Sequence, residues 1–326
     1  MSYIRMVRYL SQSETRTLLA WPEVIACLAS VYERADDPRA APPKVVARSG
    51  GVWLRALTAV SGEGGCMGVK IIAKGHPKAA DHLIALWKVQ TGALSCLMSA
   101  KGVTAMRTAG TSAVAVDRLV RKRALRVAVL GSGHEASSHV SALATVREIT
   151  ALAVYSPTAA NRDAFAARFT ETLSVPCHAC GSPRAAVEGA DVVIAAARSH
   201  DETPILQGSW LEPGMTVVSI GSTVPEQREV DPEVVRRATL IVADVPDEVA
   251  HETGDMIAAR AAGVEFESRM VALCDLTRTG AMSRLAADDI VMFKSVGSAL
   301  QDIAVSEMCF AKAEQTGIGT LLPMEL

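Results

Sequence analysis

A glycine-rich turn between a short apolar strand and a helix limits the folds open to this chain. The strand is predicted over residues 126–130, and the turn after it has the pattern G-x-G-x-x-A. The first glycine permits a tight turn, the second lets a pyrophosphate approach the backbone, and the third small residue lets helix and strand pack closely. The N–H groups of the helix predicted over 134–146 then face the phosphates. The sequence therefore predicts a dinucleotide site at Gly131, Ser132, Gly133, His134 and Glu135, with His134 contributing through its backbone.

Strands and helices alternate on both sides of this turn. A strand is predicted over 150–155 and a helix over 161–172, and further short apolar runs occupy 191–197, 216–220 and 240–243. Such alternation is typical of βα units that build a parallel sheet. We therefore expect an α/β fold whose central part is a doubly wound Rossmann domain.

The residues after the second strand of this domain bear on the choice between NAD and NADP. An acidic residue there would accept hydrogen bonds from the adenosine ribose and repel a 2′-phosphate. This chain has Ser156 and Thr158 instead, with Arg162 one helical turn further on. Hydroxyls and a guanidinium suit a phosphate, so NADP(H) is favoured over NAD(H). The alternative is that Ser156 and Thr158 only cap the helix.

Composition and charge exclude several other classes. The chain of 326 residues is long enough for two domains, and it has 49% hydrophobic and 21% charged residues with a net charge of −2. Without a basic block we expect neither nucleic acid nor a membrane as a partner. No apolar stretch is as long as a membrane span and the first residues lack a signal-peptide core, so we expect a cytoplasmic protein.

The seven cysteines are scattered and predict no disulfide framework. Cys177 and Cys180 have C-x-x-C spacing, but no second pair of ligands with suitable spacing follows them. The histidines show no ligand pairing either, and we expect no metal.

Several motifs agree in order and spacing with one known family. They are Gly68-Val69-Lys70, the segment 101–115 (KGVTAMRTAGTSAVA), the turn at 131–136, Trp210-Leu211-Glu212-Pro213-Gly214, and Phe293-Lys294-Ser295-Val296-Gly297 followed by Asp302. Together they resemble the ornithine cyclodeaminase/mu-crystallin family over nearly the whole chain. The resemblance implies that residues 1–117 with 305–326 form a smaller α+β domain for substrate and dimerisation, including the C-terminal helix. Residues 118–304 would form the Rossmann domain, and members are usually homodimers.

The resemblance also implies roles for three cations. Arg107 matches the arginine that holds the substrate carboxylate, a task suited to a bidentate guanidinium. Lys70 matches the lysine beside the reacting carbon, where a lowered pKa would let it transfer a proton. Lys44 falls where the cyclodeaminase has a second carboxylate-binding arginine. The alternatives are an interdomain salt bridge for Arg107 and an ordinary strand-edge lysine for Lys70.

Two positions depart from the cyclodeaminase pattern. Thr223 replaces the aspartate that helps activate the substrate amines, and a hydroxyl is a poor base at neutral pH. Ketimine reductases of the family also have a small hydroxyl residue there. Arg55 falls where a glutamate would hold the ammonium of ornithine, and it would instead receive an acidic or neutral side chain.

The remaining positions implied by the resemblance belong to the cofactor site. Thr108 would reach the phosphates from the helix that links the domains, and Ala197 would lie near the nicotinamide. Gly221 lies in the stretch that carries Thr223, and the loop beside the nicotinamide ring comprises Ser295, Val296 and Gly297.

These residues predict an NADPH-dependent reductase of a C=N bond α to a carboxylate, acting on a small amino, imino or keto acid. Three alternatives stay open at this point. They are an ornithine or lysine cyclodeaminase that recycles bound NAD, an oxidative amino-acid dehydrogenase, and a mu-crystallin-like binding protein with little turnover.

Overall fold

The computed structural model describes residues 4–34, 37–61, 65–75, 80–197, 203–276, 282 and 285–325. The chain divides into two compact units. Unit 1 comprises Met1–Thr108 with Ser298–Leu326, and unit 2 comprises Ala109–Gly297. The domain boundaries expected from the sequence, 117/118 and 304/305, lie inside helices, and they stay predictions.

Unit 1 is built on a mixed sheet that has seven strands among the described residues. Its order is β15-β1-β6-β5-β4-β3-β2. Neighbouring strands are antiparallel except β1 and β6, which run parallel. The strands are β1 (Ile4–Leu10), β2 (Val45–Ser49), β3 (Val52–Val60), β4 (Cys66–Lys74), β5 (Asp81–Lys88), β6 (Ala93–Ser99) and β15 (Thr320–Glu325).

Local signals explain where the helices of unit 1 begin and end. Helix α1 (Gln12–Leu18) begins with a reciprocal capping box between Ser11 and Glu14. Helix α2 (Trp21–Val31) has a proline in its first turn, where the missing N–H costs nothing. Helix α10 (Ala299–Thr316) ends at a residue with φ of +72°, which glycine adopts without strain. Helix α3 (Ala100–Leu119) begins in unit 1 and continues into unit 2.

Unit 2 contains a sheet whose described strands all pair in parallel. Its order is β13-β12-β14-β11-β10-β7-β8-β9, so the chain reverses direction across the sheet between β7 and β10. The strands are β7 (Ala124–Leu130), β8 (Glu148–Tyr155), β9 (Cys177–Ala179), β10 (Val192–Ala195), β11 (Thr216–Ser219), β12 (Ala238–Ala243), β13 (Met270–Ala272) and β14 (Ile290–Lys294).

The α-helices of unit 2 connect these strands. They are α4 (His134–Val146), α5 (Ala159–Leu173), α6 (Pro183–Val187), α7 (Pro232–Arg237), α8 (Pro246–Glu252) and α9 (Gly254–Ala261). Strands β10 and β11 are buried over their whole length, as expected for a parallel sheet covered by helices. The expected fold class, a doubly wound parallel sheet with a second α+β domain, is confirmed.

The start of the chain contains a strand that the sequence analysis did not identify. It spans Ile4–Leu10 and precedes α1. This strand forms because it pairs with β15 and β6, which lie far away in sequence. The C-terminal helix is likewise followed by a strand, β15, which the sequence analysis did not identify. None of the described helices has both the length and the apolar character to cross a membrane.

Candidate functional site

Lys70 is a buried cation on β4, an interior strand of the unit 1 sheet. Burial alternates along β4, and Gly68, Lys70 and Ile72 lie on the buried face against which α10 packs. Only 1% of Lys70 is exposed. A Cβ atom on Gly68 would come within 2.6 Å of Cδ1 of Ile303, so the glycine lets α10 approach the strand. The alternative of an ordinary strand-edge lysine is therefore wrong.

The close approach of α10 places one carboxylate between two cations. Asp302 forms an ion pair with Nζ of Lys70 through Oδ2, and it accepts a hydrogen bond of 2.9 Å from Nε of Arg107 through Oδ1. Arg107 also donates from Nη1 to Oε1 of Gln301 at 2.9 Å, and Gln301 donates to the hydroxyl of Tyr32 at 2.6 Å. Arg107 therefore forms a salt bridge inside unit 1.

The orientation of Arg107 leaves one end of its guanidinium for a ligand. Nε and Nη1 donate to Asp302 and Gln301, whereas Nη2 donates to no group among the described residues. A guanidinium held in this way can present Nη1 and Nη2 to a carboxylate. The structure thus brings Lys70 and Arg107 together through an aspartate whose role the sequence analysis did not assign.

Burial sets the ionisation of the cluster. It lowers the pKa of Lys70 to about 8, while Asp302 opposes this shift and the charges of Arg107 and Arg55 add to it. Burial also lowers the pKa of His82 to about 4, and the charge of Lys70 acts in the same direction. At neutral pH His82 is therefore neutral, and Lys70 is a cation that gives up its proton readily.

Lys44 and Arg55 lie on the side of β4 where β3 and β2 continue the sheet. Lys44 immediately precedes β2, the strand two places from β4 in the sheet. Arg55 lies on β3 opposite Ile72, with its guanidinium 5.2 Å from the ring centre of Trp53. Because the charge of Arg55 lowers the pKa of Lys70, its guanidinium acts electrostatically on the cluster.

The residues expected to bind the cofactor follow the carboxyl ends of neighbouring strands in unit 2. Strands β14, β11, β10, β7 and β8 are consecutive in the sheet, and they run parallel. In open parallel sheets ligands bind outside the carboxyl ends of the strands, at the point where the strand order reverses. The residues at this edge are Ser295, Val296 and Gly297 after β14, Gly221 and Thr223 after β11, Ala197 after β10, Gly131 after β7, and Ser156 after β8.

The turn between β7 and α4 has the geometry that a pyrophosphate requires. Gly131 has φ of +125°, and a Cβ there would lie 2.6 Å from the carbonyl oxygen of Ala196. Gly133 is the N-cap of α4, and nothing lies within 4 Å of a Cβ built on it. The backbone is thus open beside the N-terminus of α4, where N–H groups and the helix dipole favour an anion. His134 and Glu135 form the first turn of α4.

Hydroxyls and a guanidinium meet at the end of β8. Ser132 donates to the hydroxyl of Ser156 at 2.9 Å, and Arg162 donates from Nη1 to the carbonyl of Ser156 at 3.1 Å. Thr158 is the N-cap residue of α5, but its hydroxyl makes no capping hydrogen bond. The hydrogen bond that a helix-capping role of Thr158 would require is therefore absent.

Asp244, a residue that the sequence analysis missed, holds the loop after β14. Its carboxylate accepts hydrogen bonds from the hydroxyl of Ser295 at 2.6 Å, from N of Val296 at 3.0 Å and from N of Gly297 at 2.8 Å. The backbone N–H groups of Val296 and Gly297 thus bind a carboxylate of the protein, and that of Ser295 donates to the carbonyl of Ser219 at 3.2 Å.

A second carboxylate holds the turn after β11. Glu229 accepts hydrogen bonds from N of Gly221 at 2.7 Å and from N of Ile220 at 2.9 Å. Thr223 is half-buried, and its backbone N donates to Oε1 of Gln227 at 3.3 Å. Its hydroxyl lies 3.5 Å from the same oxygen, too long for a strong bond. That hydroxyl can therefore turn to another partner.

The last two expected cofactor residues are Thr108 and Ala197. Thr108 is half-buried in α3, and its hydroxyl donates to the carbonyl of Thr104 at 2.7 Å. Ala197 is half-buried two residues after β10, next to the carbonyl that restricts Gly131. The roles of these residues, like those of the other expected site residues, remain predictions.

The strand order and the open turn at Gly133 define a dinucleotide-binding protein of the Rossmann class, joined to a second α+β unit with a buried cationic cluster. The chain belongs to the ornithine cyclodeaminase/mu-crystallin family, whose sequence profile matches residues 11–317.

Similar proteins in this family include reductases. Delta(1)-pyrroline-2-carboxylate reductase of Bacillus cereus (strain ZK / E33L) is 26% identical over 243 residues, which cover 74% of each chain. The ketimine reductase mu-crystallin of Mus musculus is 27% identical over 303 residues, covering 89% of this chain and 90% of the relative. The solved Delta(1)-pyrroline-2-carboxylate reductase of Thermococcus litoralis, in complex with NADH and L-proline, superposes with a TM-score of 0.89 at 26% identity. That match covers 97% of this chain and 100% of the other.

Proposed function

We propose that this chain is an NAD(P)H-dependent oxidoreductase that reduces a C=N bond α to a carboxylate. The observation that carries the proposal is the buried cluster in which Asp302 holds Lys70 and Arg107. One anion between two cations leaves a net positive charge in a buried place, and a carboxylate substrate would compensate it. The relatives named as reductases of pyrroline-2-carboxylate and of ketimines support this reaction class.

Each cation has a separate task in this reaction. Arg107 binds the substrate carboxylate through the end of the guanidinium that faces away from Asp302 and Gln301, and Lys44 adds a second positive charge. Lys70 donates its proton to the imine nitrogen, and Thr223 orients that nitrogen or a water molecule. When bound, a reduced nicotinamide would supply the hydride that the imine carbon accepts, so that the C=N bond would become a C–N bond with the two electrons taken from the cofactor.

The two departures from the cyclodeaminase pattern favour reduction. A cyclodeaminase needs a base for the substrate amines, and Thr223 offers a hydroxyl in its place. Arg55 adds positive charge to the cluster of Lys70, which disfavours the second ammonium of ornithine or lysine. We therefore propose that the substrate has a neutral or acidic side chain, either as a cyclic imino acid or as a keto acid with ammonia.

We also propose that the preferred cofactor is NADP(H). Ser156, Thr158 and Arg162 lie where the adenosine ribose is expected to bind, and none of them is acidic. Thr158 has a hydroxyl without a capping bond, and Arg162 already points its guanidinium back to the end of β8. Both groups suit a 2′-phosphate.

A homodimer built through unit 1 is a further part of the proposal. The face of the sheet opposite Lys70 exposes apolar side chains on three strands, among them Val45 at 71%, Leu54 at 49% and Leu83 at 39%. Exposed apolar faces of this kind are typical of interfaces between subunits.

Light scattering should report a dimer for the wild type and a monomer for Leu54→Asp. Thr172→Asp, on an exposed part of α5, should leave the dimer intact. A wild-type monomer would contradict this part of the proposal.

We propose a cytoplasmic location because all seven cysteines are free thiols. Structural disulfides are common in oxidising compartments and rare in the cytosol. Fractionation of the source cells with an antibody to the chain would test this point.

The reaction itself is tested by the absorbance of the reduced nicotinamide. Purified enzyme is mixed with NADPH or NADH and a panel of cyclic imino acids, with keto acids plus ammonia in parallel. Arg107→Lys keeps the positive charge but loses the bidentate guanidinium. It should therefore lower kcat/KM about tenfold to a hundredfold, while the affinity for the cofactor stays unchanged. Ornithine with NAD is assayed separately for ammonia. Release of ammonia without net cofactor change would contradict the proposal and indicate a cyclodeaminase.

A further inference from the structure

Beneath the turn that carries Thr223 lies a fully buried cluster of three charged residues. Glu229, Asp255 and Lys294 are each 0% exposed, and so is Ser219 between them. Nζ of Lys294 donates to Oδ2 of Asp255 and to the hydroxyl of Ser219, both at 2.8 Å. The cluster joins the ends of β11 and β14 to the first turn of α9. With two carboxylates and one ammonium, it carries one excess negative charge when all three groups are ionised.

Glu229 uses its carboxylate to fix the backbone after β11. Oε2 accepts three hydrogen bonds, from N of Ile220 at 2.9 Å, from N of Gly221 at 2.7 Å and from the hydroxyl of Ser219 at 2.9 Å. Oε1 lies against Gly221, where an added Cβ would come within 2.1 Å of it. A side chain at position 221 would therefore displace the carboxylate, which explains why the turn requires glycine there.

The backbone N of Glu229 is held in turn by the same cluster. Oδ1 of Asp255 accepts from N of Glu229 at 2.8 Å and from N of Val230 at 3.1 Å. The far end of the loop is thereby fixed to α9, while the carboxylate of Glu229 fixes the near end at Gly221. Thr223 lies between these two points of attachment, and its own N binds Gln227 in the same loop.

The strength of this attachment depends on the charge of Glu229. Burial raises its pKa to about 7, Lys294 opposes the shift, and Asp255 increases it. Hydrogen bonds to an ionised acceptor are roughly twice as strong as neutral ones. In the protonated form the proton on Oε1 would have no acceptor among the described residues, because Oε1 makes no hydrogen bond with any of them.

We infer that Glu229 is a positioning residue for the turn Gly221–Thr223, and that its ionised carboxylate is the form that holds Thr223 in place for the reaction. The inference rests on the proposed function, since it assigns Thr223 a task in the reduction. It extends that function by making the reaction depend on a group that touches neither substrate nor cofactor.

The test compares Glu229→Gln with the wild type and with Glu233→Gln, a carboxylate on the surface of α7 that pairs with Arg236. Glu229→Gln should lower kcat about tenfold, because one neutral acceptor replaces the carboxylate, and it should leave KM for the cofactor within about twofold. In the wild type kcat should fall as the pH drops through 7, and this acidic limb should be absent in Glu229→Gln. Glu233→Gln should retain both the rate and the limb.

A second variant carries the test if Glu229→Gln does not fold. Asp255 raises the pKa of Glu229, so Asp255→Asn should move the acidic limb to lower pH.

Stability provides a readout that does not depend on activity. The carboxyl has a pKa of 4.5 in its ordinary state and about 7 in the folded protein, so wild-type stability should fall from pH 4.5 to 7 relative to Glu229→Gln. Activity and stability should thus change in opposite directions with pH.

Specific results would overturn the inference. If the acidic limb persists in Glu229→Gln, or if Asp255→Asn leaves it in place, the inference is wrong and the proposed function stands. If kcat of Glu229→Gln is lower than that of the wild type by the same factor at every pH, Glu229 has a merely structural role, and this result would also overturn the inference. If the wild type reduces no imino or keto acid, the proposed function fails and the inference fails with it.

Discussion

Lys70 and Arg107 bind opposite oxygens of the Asp302 carboxylate. This arrangement orients both cations and keeps them close despite their repulsion. Because Asp302 neutralises only one of the two charges, the cluster retains a positive charge after all its internal contacts are made. An anionic substrate would compensate this positive charge. Substitution of Asp302 is therefore the most direct test of the cluster.

Asp302→Asn should damage both stability and activity. The substitution leaves two buried cations without their counter-charge, and breaking a buried pair in this way costs about 3–5 kcal/mol. Asp302 raises the pKa of Lys70, so its loss should lower that pKa further below about 8. Urea unfolding measures the loss of stability. The lowered pKa of Lys70 should move the alkaline limb of the pH–rate profile to lower pH.

Glu314→Gln is the matched control for this variant. Glu314 lies on the same helix, α10, but forms only an exposed ion pair with Lys88 at 3.6 Å. Exposed pairs contribute about 0–1 kcal/mol, so stability and pH profile should stay close to the wild type. Equal effects of the two substitutions would show that Asp302 has no special role.

Lys70→Met should change how stability depends on pH. The pKa of Lys70 is about 8 in the folded protein and 10.5 in its ordinary state, so the unfolded chain binds a proton that the folded chain has lost. Wild-type stability should therefore rise between pH 8 and 10.5, by about 3 kcal/mol at most. Lys70→Met should lack this rise. Its kcat should fall about a hundredfold or more with the loss of the proton donor.

Lys74→Met is the comparison on the same strand. Lys74 is exposed near the end of β4, so its replacement should retain both the rate and the rise in stability at high pH. Thermal unfolding at a series of pH values would measure these effects. Parallel stability curves for wild type and Lys70→Met would contradict a lowered pKa at Lys70.

The sequence was most informative where structure depends on neighbouring residues. The helix expected over 134–146 has these bounds in the structure, and the strand expected over 126–130 is part of β7. Capping, turn and strand signals depend on residues a few positions apart, so they can be recognised without knowledge of the fold. The family resemblance, confirmed by the match over residues 11–317, carried the rest of the fold class.

Contacts between distant residues could not be foreseen in this way. Strand β1 is stabilised by pairing with β15, and Arg107 is 195 positions from Asp302. The carboxylates of Asp244 and Glu229 hold two loops of the candidate site, yet nothing in their immediate sequence distinguishes them from surface acids. Their importance follows from burial and from the backbone N–H groups they accept, which only the folded chain brings together.

Gly131→Ala and Gly133→Ala should separate folding from cofactor binding. Alanine at 131 would adopt φ of +125° and meet the carbonyl of Ala196, so both stability and dinucleotide affinity should fall. Gly133 has φ of −84° and ψ of −168°, and a Cβ there meets nothing. Gly133→Ala should therefore fold as well as the wild type. It should bind the dinucleotide at least tenfold more weakly, a loss of about 1.4 kcal/mol, because the Cβ would lie where the pyrophosphate approaches the backbone.

Thermal unfolding and titration of NADPH fluorescence measure the two properties. Unchanged affinity in Gly133→Ala would mean that the pyrophosphate does not approach this turn. The dinucleotide site would then have to lie elsewhere in unit 2.

Arg162→Ala tests the choice between the two cofactors. Arg162 already points to the end of β8, and a charge-assisted bond to a 2′-phosphate is worth about 1.5–3 kcal/mol. KM for NADPH should therefore rise about tenfold to a hundredfold in Arg162→Ala, while KM for NADH stays within about twofold of the wild type. Arg168→Ala is the control, because Arg168 lies on the same helix but packs its guanidinium 4.5 Å from the ring centre of Phe169. Equal changes for NADPH and NADH in Arg162→Ala would show that this arginine contacts a part common to both cofactors, and the preference for NADP(H) would then have no support from this residue.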